Sequence, residues 1–486
     1  MTIRPGLKQI AILLLLTAGA ILVHGYHPYV EDAEIYVPGI KKALDPSLYP
    51  FNAGFFASHA RLTLFPNLIA ASIRSTHLPF DWALLLWHGF SIFLLLLGCW
   101  HIGRLCFRSS RAQWGGVALV ASLLTIPVAG TALYIMDQYL NTRSLSTPAV
   151  LFIVINTIEK EFWRAALWTI FAAAIHPLMV VFGLSYAMLL LWTHRSAAGP
   201  LSVSAMLFFP FGFFPPVTDA YREAINSRSY FFLLRWEWYE WIGIFAPLLL
   251  LWWLQRIARR QELPVLARMC RSLIVFGLFY FVLAMLLGIS PRLDNLAELQ
   301  PMRVLQLLYV LLFVFVGGLL AEHVLRGRVW RWLALFLPLC AGMFNVQRRL
   351  FPATVHLELP GRSSENGWVQ AFLWVRDNTP VTAYFALDPN HMQLHGEDQH
   401  GFRAIAERSM LADRLKDSGA VTMFPALAES WRQQTRSQSD WRNFLAKDFQ
   451  RLKGEFGVNW VLLERPGVAG LACPYENQTL LVCRID

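Results

Sequence analysis

From Trp82 to Gly103 the chain carries no Asp, Glu, Lys or Arg, and from Val304 to Leu320 again none. A helix needs about 20 apolar residues to cross roughly 30 Å of hydrocarbon, so segments of this kind are read as membrane spans. Further apolar runs lie at residues 9–24, 113–135, 147–158, 162–192, 201–217, 241–254, 272–289 and 329–345. Only 15% of the residues are charged and 56% are hydrophobic. Soluble proteins carry about 25% charge, so the surface of a water-soluble fold cannot be covered from this supply. The chain reads as an α-helical polytopic membrane protein.

The run at 162–192 is too long for one span. As a single helix it would extend about 46 Å at 1.5 Å per residue, and His176-Pro177 interrupts it where proline removes a backbone donor. Two short spans hinged at that dipeptide fit better. The split gives about eleven spans and places every short basic loop on the cytoplasmic side, including the cluster Arg256, Arg259, Arg260, Arg268 and Arg271. The net charge of +10 is therefore topology, and no nucleic-acid partner is implied. The N-terminus is expected inside and the C-terminus outside. The first run also has the form of a signal peptide, although no small-x-small cleavage pattern stands near His24.

Residues 1–350 are read as the membrane part and 351–486 as a small extracytoplasmic α/β domain. There Ser364 is the expected cap of a helix through Trp368, Phe372 and Val375, which Pro380 follows. Strands are expected at 381–387, 459–464 and 479–485, with helices around 426–432 and 441–453. Cys473 and Cys483 can close a disulfide if this part is exported.

No phosphate-binding loop, dinucleotide fingerprint, serine-hydrolase elbow or zinc-protease motif occurs. The chemistry must lie at the outer membrane face. Glu31, Asp32 and Glu34 follow the first span directly. They either solvate a helix end or take a proton from an acceptor hydroxyl, and a divalent cation held there is left open. Arg143, Arg228, Arg235, Arg292 and Arg303 lie on the outer side against the positive-inside bias, and guanidinium suits bidentate contact with a phosphate-bearing lipid. Ordinary headgroup contact or pairing with Glu237, Glu240 or Glu298 is the alternative. His176 either packs at the hinge or orients a phosphate. His391, His395 and His400, mixed with Asp388, Glu397 and Asp398, lack regular ligand spacing and read as a solvated loop, so no metal site is assigned.

These features together resemble the GT-C superfamily of membrane glycosyltransferases, which includes protein O-mannosyltransferases, oligosaccharyltransferase catalytic subunits and aminoarabinose transferases. The resemblance rests on Glu31-Asp32 after the first span, the segment Ala174-Ile175-His176-Pro177-Leu178-Met179, the aromatic loop around Arg235-Trp236, and the opening of the tail, Trp374-Val375-Arg376-Asp377-Asn378-Thr379-Pro380. It implies a bacterial inner-membrane enzyme that transfers a sugar from a polyprenyl-phosphate donor to a glycan, lipid or protein acceptor. Asp32 would be the base with Glu31 beside it, and the arginines and His176 would hold the donor phosphate. The acceptor motif W-W-D-Y-G of oligosaccharyltransferases is absent, and Asp137 is the lone acid of the second outer loop, so asparagine is not the expected acceptor. The rival classes are a transporter or flippase of an anionic lipid and a non-catalytic envelope assembly protein. With the donor's anchor and Asp32 both in the membrane part, a chain ending near Asn345 would be expected to keep donor binding.

Overall fold

The computed structural model describes residues 5–195, 218–289 and 293–485. Six helices are long and apolar enough to cross a membrane: Leu7–His24, Phe80–Cys106, Trp238–Arg260, Pro264–Leu287, Pro301–Leu325 and Val329–Leu350. Three shorter apolar helices, Thr142–Ile158, Phe162–Ile175 and Pro177–Arg195, accompany them. The expected span at 201–217 and Arg292 lie outside the described residues.

Pro301–Leu325 is enclosed by its neighbours, whereas Val329–Leu350 lies at the periphery. Close approach makes the enclosure. A Cβ built on Gly115 would come within 2.5 Å of the Gly317 carbonyl oxygen, and one on Gly116 within 2.6 Å of that of Val314. Small residues let apolar helices touch backbone to backbone, where dispersion replaces the hydrophobic drive that lipid does not supply.

Two boundaries answer the sequence reading differently. The helix break falls at His176 as expected, and the chain turns back there: Phe162 at the start of one helix and Leu190 and Leu191 late in the next line the same cavity. The expected span at 113–135 is helical only in its first half. Its helix is Ser110–Ser122, and Pro127 then pairs with Tyr134 in an antiparallel bridge. Proline cannot continue the helical ladder, and it disfavours helical backbone at Ile126 before it. Apolar residues 123–135 therefore form a buried loop, and the next helix starts at Thr142 behind a capping box of Asn141 and Ser144. The basic connectors gather at one end of the helices, where Arg108 reaches Glu262 O and Gln261 reaches His323.

The tail carries a five-stranded sheet. Its strands are β1 (Tyr384–Ala386), β2 (Ser409–Met410), β3 (Trp460–Glu464), β4 (Ala472–Glu476) and β5 (Leu480–Arg484), in the order β2-β1-β3-β5-β4. The first three are mutually parallel, and β3, β5 and β4 are antiparallel. Alternation along β3 sends Leu462 to the face covered by Trp368, Phe372 and Val375, and Val461 and Leu463 to the face covered by Phe449 and Leu452. The helix Gly367–Asn378 is capped by Asn366, whose side chain accepts from the Trp368 and Val369 N–H groups, and not by Ser364, which accepts from Asn366 N instead. Cys473 and Cys483 are disulfide-bonded across β4 and β5.

The tail grips the loop after the first helix. Buried Glu34 accepts from the backbone N–H groups of Arg403 and Ala404 (3.1 and 3.0 Å), Lys41 reaches Ala404 O and Glu407, and Arg403 makes a bidentate pair with buried Asp417. Glu358 accepts from His27 (2.7 Å) and from His400 (3.2 Å). The segment expected to be a solvated loop is thus mostly interior: His391, Glu397 and His400 are fully buried.

Burial alone would lower the pKa of His400, yet the Glu358 carboxylate holds it up to about 9. Burial likewise opposes ionisation of Glu358, and His400 with His27 holds it down to about 2. The raised histidine stabilises fully below 6.5 and its share is lost as pH rises toward 9; the lowered acid stabilises above 4.5 and its share is lost as pH falls toward 2. The pair therefore contributes most between pH 4.5 and 6.5, on the order of 3 kcal/mol. In detergent, His400→Gln is expected to melt below the parent at about pH 6, with the gap closing by about pH 9. A gap that stayed constant with pH would refute the assignment.

Candidate functional site

Gly25, at φ +82°, turns the chain out of the first helix, and a short bridge joins Tyr26 to Leu357 of the tail. Glu31 sits in the left-handed region at φ 56°, held by its N–H on Gln399 O at 2.8 Å. A non-glycine residue kept there costs of order 1 kcal/mol or more, so the surrounding contacts must enforce it. The consequence is that Glu31 and Asp32 are presented side by side, with Asp32 N–H on the Tyr139 hydroxyl (3.3 Å) from the 123–141 loop.

Asp32 is the centre of a charged chain. Arg143 Nη2 donates to Asp32 Oδ2 (3.1 Å) and to Asp137 Oδ2 (3.0 Å). Lys416 Nζ donates to Asp32 Oδ1 (3.1 Å) and to Glu31. Burial opposes charge on Asp32, but Lys416 and Arg143 outweigh it and hold the carboxyl well below the usual carboxylate range. Asp32 keeps 29% exposure and is reachable by a ligand.

Two cavities meet at this chain. One, of about 480 Å³, is lined largely by apolar side chains such as Ile35, Leu62, Ile175, Val181 and Leu299. The other, of about 600 Å³, is lined by Glu31, Asp137, Arg349, His395 and Lys416 together with the 127–134 loop. Asp32, Arg143, Arg228, Tyr230 and Arg303 line both and form the wall between them. Arg228 is fixed by the tail, donating to Ser418 (3.1 Å) and to the carbonyls of Leu415 and Lys416, and by the Tyr230 hydroxyl (3.2 Å). Arg303 differs: its guanidinium makes no hydrogen bond or ion pair among the described residues, and its Nε is buried without a partner, as is that of Arg143. Glu298 lies at the apolar cavity, where burial pushes its carboxyl up to about 7.

The structure thus brings together Asp32, Glu31, Arg143, Arg228, Arg303 and His176, the last on the wall of the apolar cavity. It does not bring in Arg235, which bonds Asn226 Oδ1 (2.9 Å) and stacks on Phe232, away from both cavities. Lys416 and Tyr230 were missed by the sequence reading. Tyr230 had a weak signal in the aromatic loop, whereas Lys416, in an ordinary polar stretch, had none. Among the described residues no group of three or more His, Cys, Asp or Glu is arranged to hold a metal ion.

No protein-family model matches the chain, and no curated protein matches it either.

Proposed function

We propose that the protein is a GT-C-like glycosyltransferase that moves a sugar from a polyprenyl-phosphate carrier to an acceptor hydroxyl. On this reading it is a bacterial inner-membrane protein of about eleven spans, with the N-terminus cytoplasmic and the tail outside. The disulfide in the tail supports export, since such bonds persist in oxidising compartments. The observation that carries the reading is the unpaired guanidinium of Arg303, which stands with Arg143 and Arg228 at the wall that Asp32 shares. A half-buried cation that faces another guanidinium, Arg143, and whose Nε has no acceptor is costly, and an anionic ligand relieves that cost. The apolar walls beside it suit a prenyl chain, so the bound phosphate and its lipid would lie together in that cavity.

In the reaction the acceptor oxygen bonds the anomeric carbon while the bond from that carbon to the phosphate oxygen breaks. The electron pair leaves on the phosphate, where the arginines stabilise it, and the acceptor proton passes to Asp32. A phosphate bound to Arg143 draws that guanidinium from Asp32, which raises the basicity of the carboxylate when it is needed. His176 borders the cavity as a further contact for the donor head.

The tail belongs to this site. Because Arg228 is held by Ser418, Leu415 and Lys416, a chain cut near Asn345 loses the support of one donor arginine. Such a truncation is therefore expected to weaken donor binding, although the donor's anchor and Asp32 remain. The direct test is incubation of purified protein with a labelled undecaprenyl-phosphate sugar, alone and with envelope extract. Cleavage or transfer is the expected result, and binding followed by translocation with the donor intact would replace the enzyme by a flippase.

A further inference from the structure

We propose that the polar cavity is the acceptor site, that it takes a hydroxyl-rich sugar group, and that Lys416 holds the acceptor oxygen against Asp32. The proposal rests on the glycosyl-transfer reading. Its basis is an asymmetry between the cavities. Asp32 and the three arginines line both, but Lys416 lines only the polar one. A donor seated among the apolar walls meets the arginines and not Lys416; a group entering from the polar side meets Lys416 and Asp32 together.

The geometry of Lys416 suits that task. Its ammonium has three N–H groups, of which one goes to Asp32 and one to Glu31, so the third is left for a ligand oxygen. Its side chain is only 5% exposed. The backbone is anchored as well: its N–H donates to Asp413 Oδ1 and its carbonyl accepts from Arg228. A hydroxyl oxygen that accepts from Nζ and donates to Asp32 has its free lone pair toward the shared wall, where the anomeric carbon would stand. Lys416 keeps its proton throughout; the acceptor proton goes to Asp32 and the leaving electron pair to the phosphate.

The ligand class follows from a mixed lining. Leu133, Leu350 and Leu394 offer apolar contact, but Arg349, Lys416 and the exposed side chains of Gln393 and His395 would be desolvated without compensation by an acyl chain, whereas a sugar offers hydroxyls to these and its C–H faces to the others. The volume of about 600 Å³ lies within the ~300–1,000 Å³ of small-molecule sites.

The test uses the full chain with labelled undecaprenyl-phosphate sugar as donor and three acceptor probes: methyl glycosides of one or two sugars, n-decanol, and a Ser/Thr peptide. Transfer is expected to the glycosides in preference to the others; preference for decanol or peptide overturns the ligand class. Lys416→Met is expected to lower kcat/KM for the glycoside on the order of 10- to 100-fold, through acceptor KM as well as kcat, with donor Kd within about threefold. Lys416→Arg is expected to recover part of the loss. Unchanged acceptor kinetics in Lys416→Met, or equal loss of donor binding in both variants, overturns the role of Lys416.

Cysteine protection reads the site without turnover. In a Cys340→Ser background, glycosides are expected to shield Gln393→Cys from maleimide and not Leu62→Cys, and undecaprenyl phosphate the reverse. A glycoside that shields both or neither removes the acceptor site. If the parent protein neither binds nor consumes the donor, the glycosyl-transfer reading itself fails, a result separate from any outcome in the variants.

Discussion

Asp32→Asn is expected to lower transfer by about 10²- to 10⁴-fold, the usual share of a positioned general base. The variant is nearly isosteric and strands no charge. Arg143 keeps Asp137 and Lys416 keeps Glu31, so both cations retain a carboxylate after the exchange. The fold and donor affinity should therefore survive while the chemical step is lost. Single-turnover assays with pre-bound donor separate the two. Asp32→Asn turning over at the parent rate would move the base elsewhere, and Glu31 would be the next residue to exchange.

The second large effect belongs to Arg303. Each charge-assisted hydrogen bond to a phosphate is worth about 1.5–3 kcal/mol, so Arg303→Met should weaken donor binding by roughly 10- to 100-fold. Its effect on stability should run the other way. Among the described residues the Arg303 guanidinium has no hydrogen-bonded partner to leave behind, and its buried Nε is unsatisfied, so an apolar side chain of similar length is expected to leave the melting temperature unchanged or raise it. Arg143→Met is the contrast: it strands buried Asp137 and removes one cation from Asp32, at a cost of about 3–5 kcal/mol. Donor titration and thermal melts of the two variants side by side check both halves. Equal destabilisation by the two would mean that Arg303 is a structural cation.

The local features were legible in the chain, each for a local reason. Apolar length marked the spans at 82–107 and 304–320, and a proline after His176 marked the hinge at which the helix breaks. Short apolar runs marked β3 and β5, and the short interval between Cys473 and Cys483 marked the disulfide. Errors came where hydropathy was read without its backbone. Residues 123–135 are as apolar as a span, but Pro127 turns them into a loop that lines the polar cavity. Arg235 lies close in sequence to Arg228, which lines both cavities, yet a turn of 3₁₀ helix directs it to Asn226.

What the sequence alone determined is the class of the chain, the acids and arginines available to the site, and, in the tail, the first helix and the strands β1, β3 and β5. These depend on side-chain polarity and backbone restrictions within a few residues. The tertiary structure decided which of those charges meet. Asp32 and Lys416 are separated by most of the chain and are brought to 3.1 Å because Glu34, Lys41 and His27 bind the tail to the first loop. The division of the site into an apolar and a polar cavity likewise arises where the first loop, the 123–141 loop and the tail converge. An ion pair is decided by distance in space, and periodicity carries no information about which remote cation will satisfy a buried carboxylate.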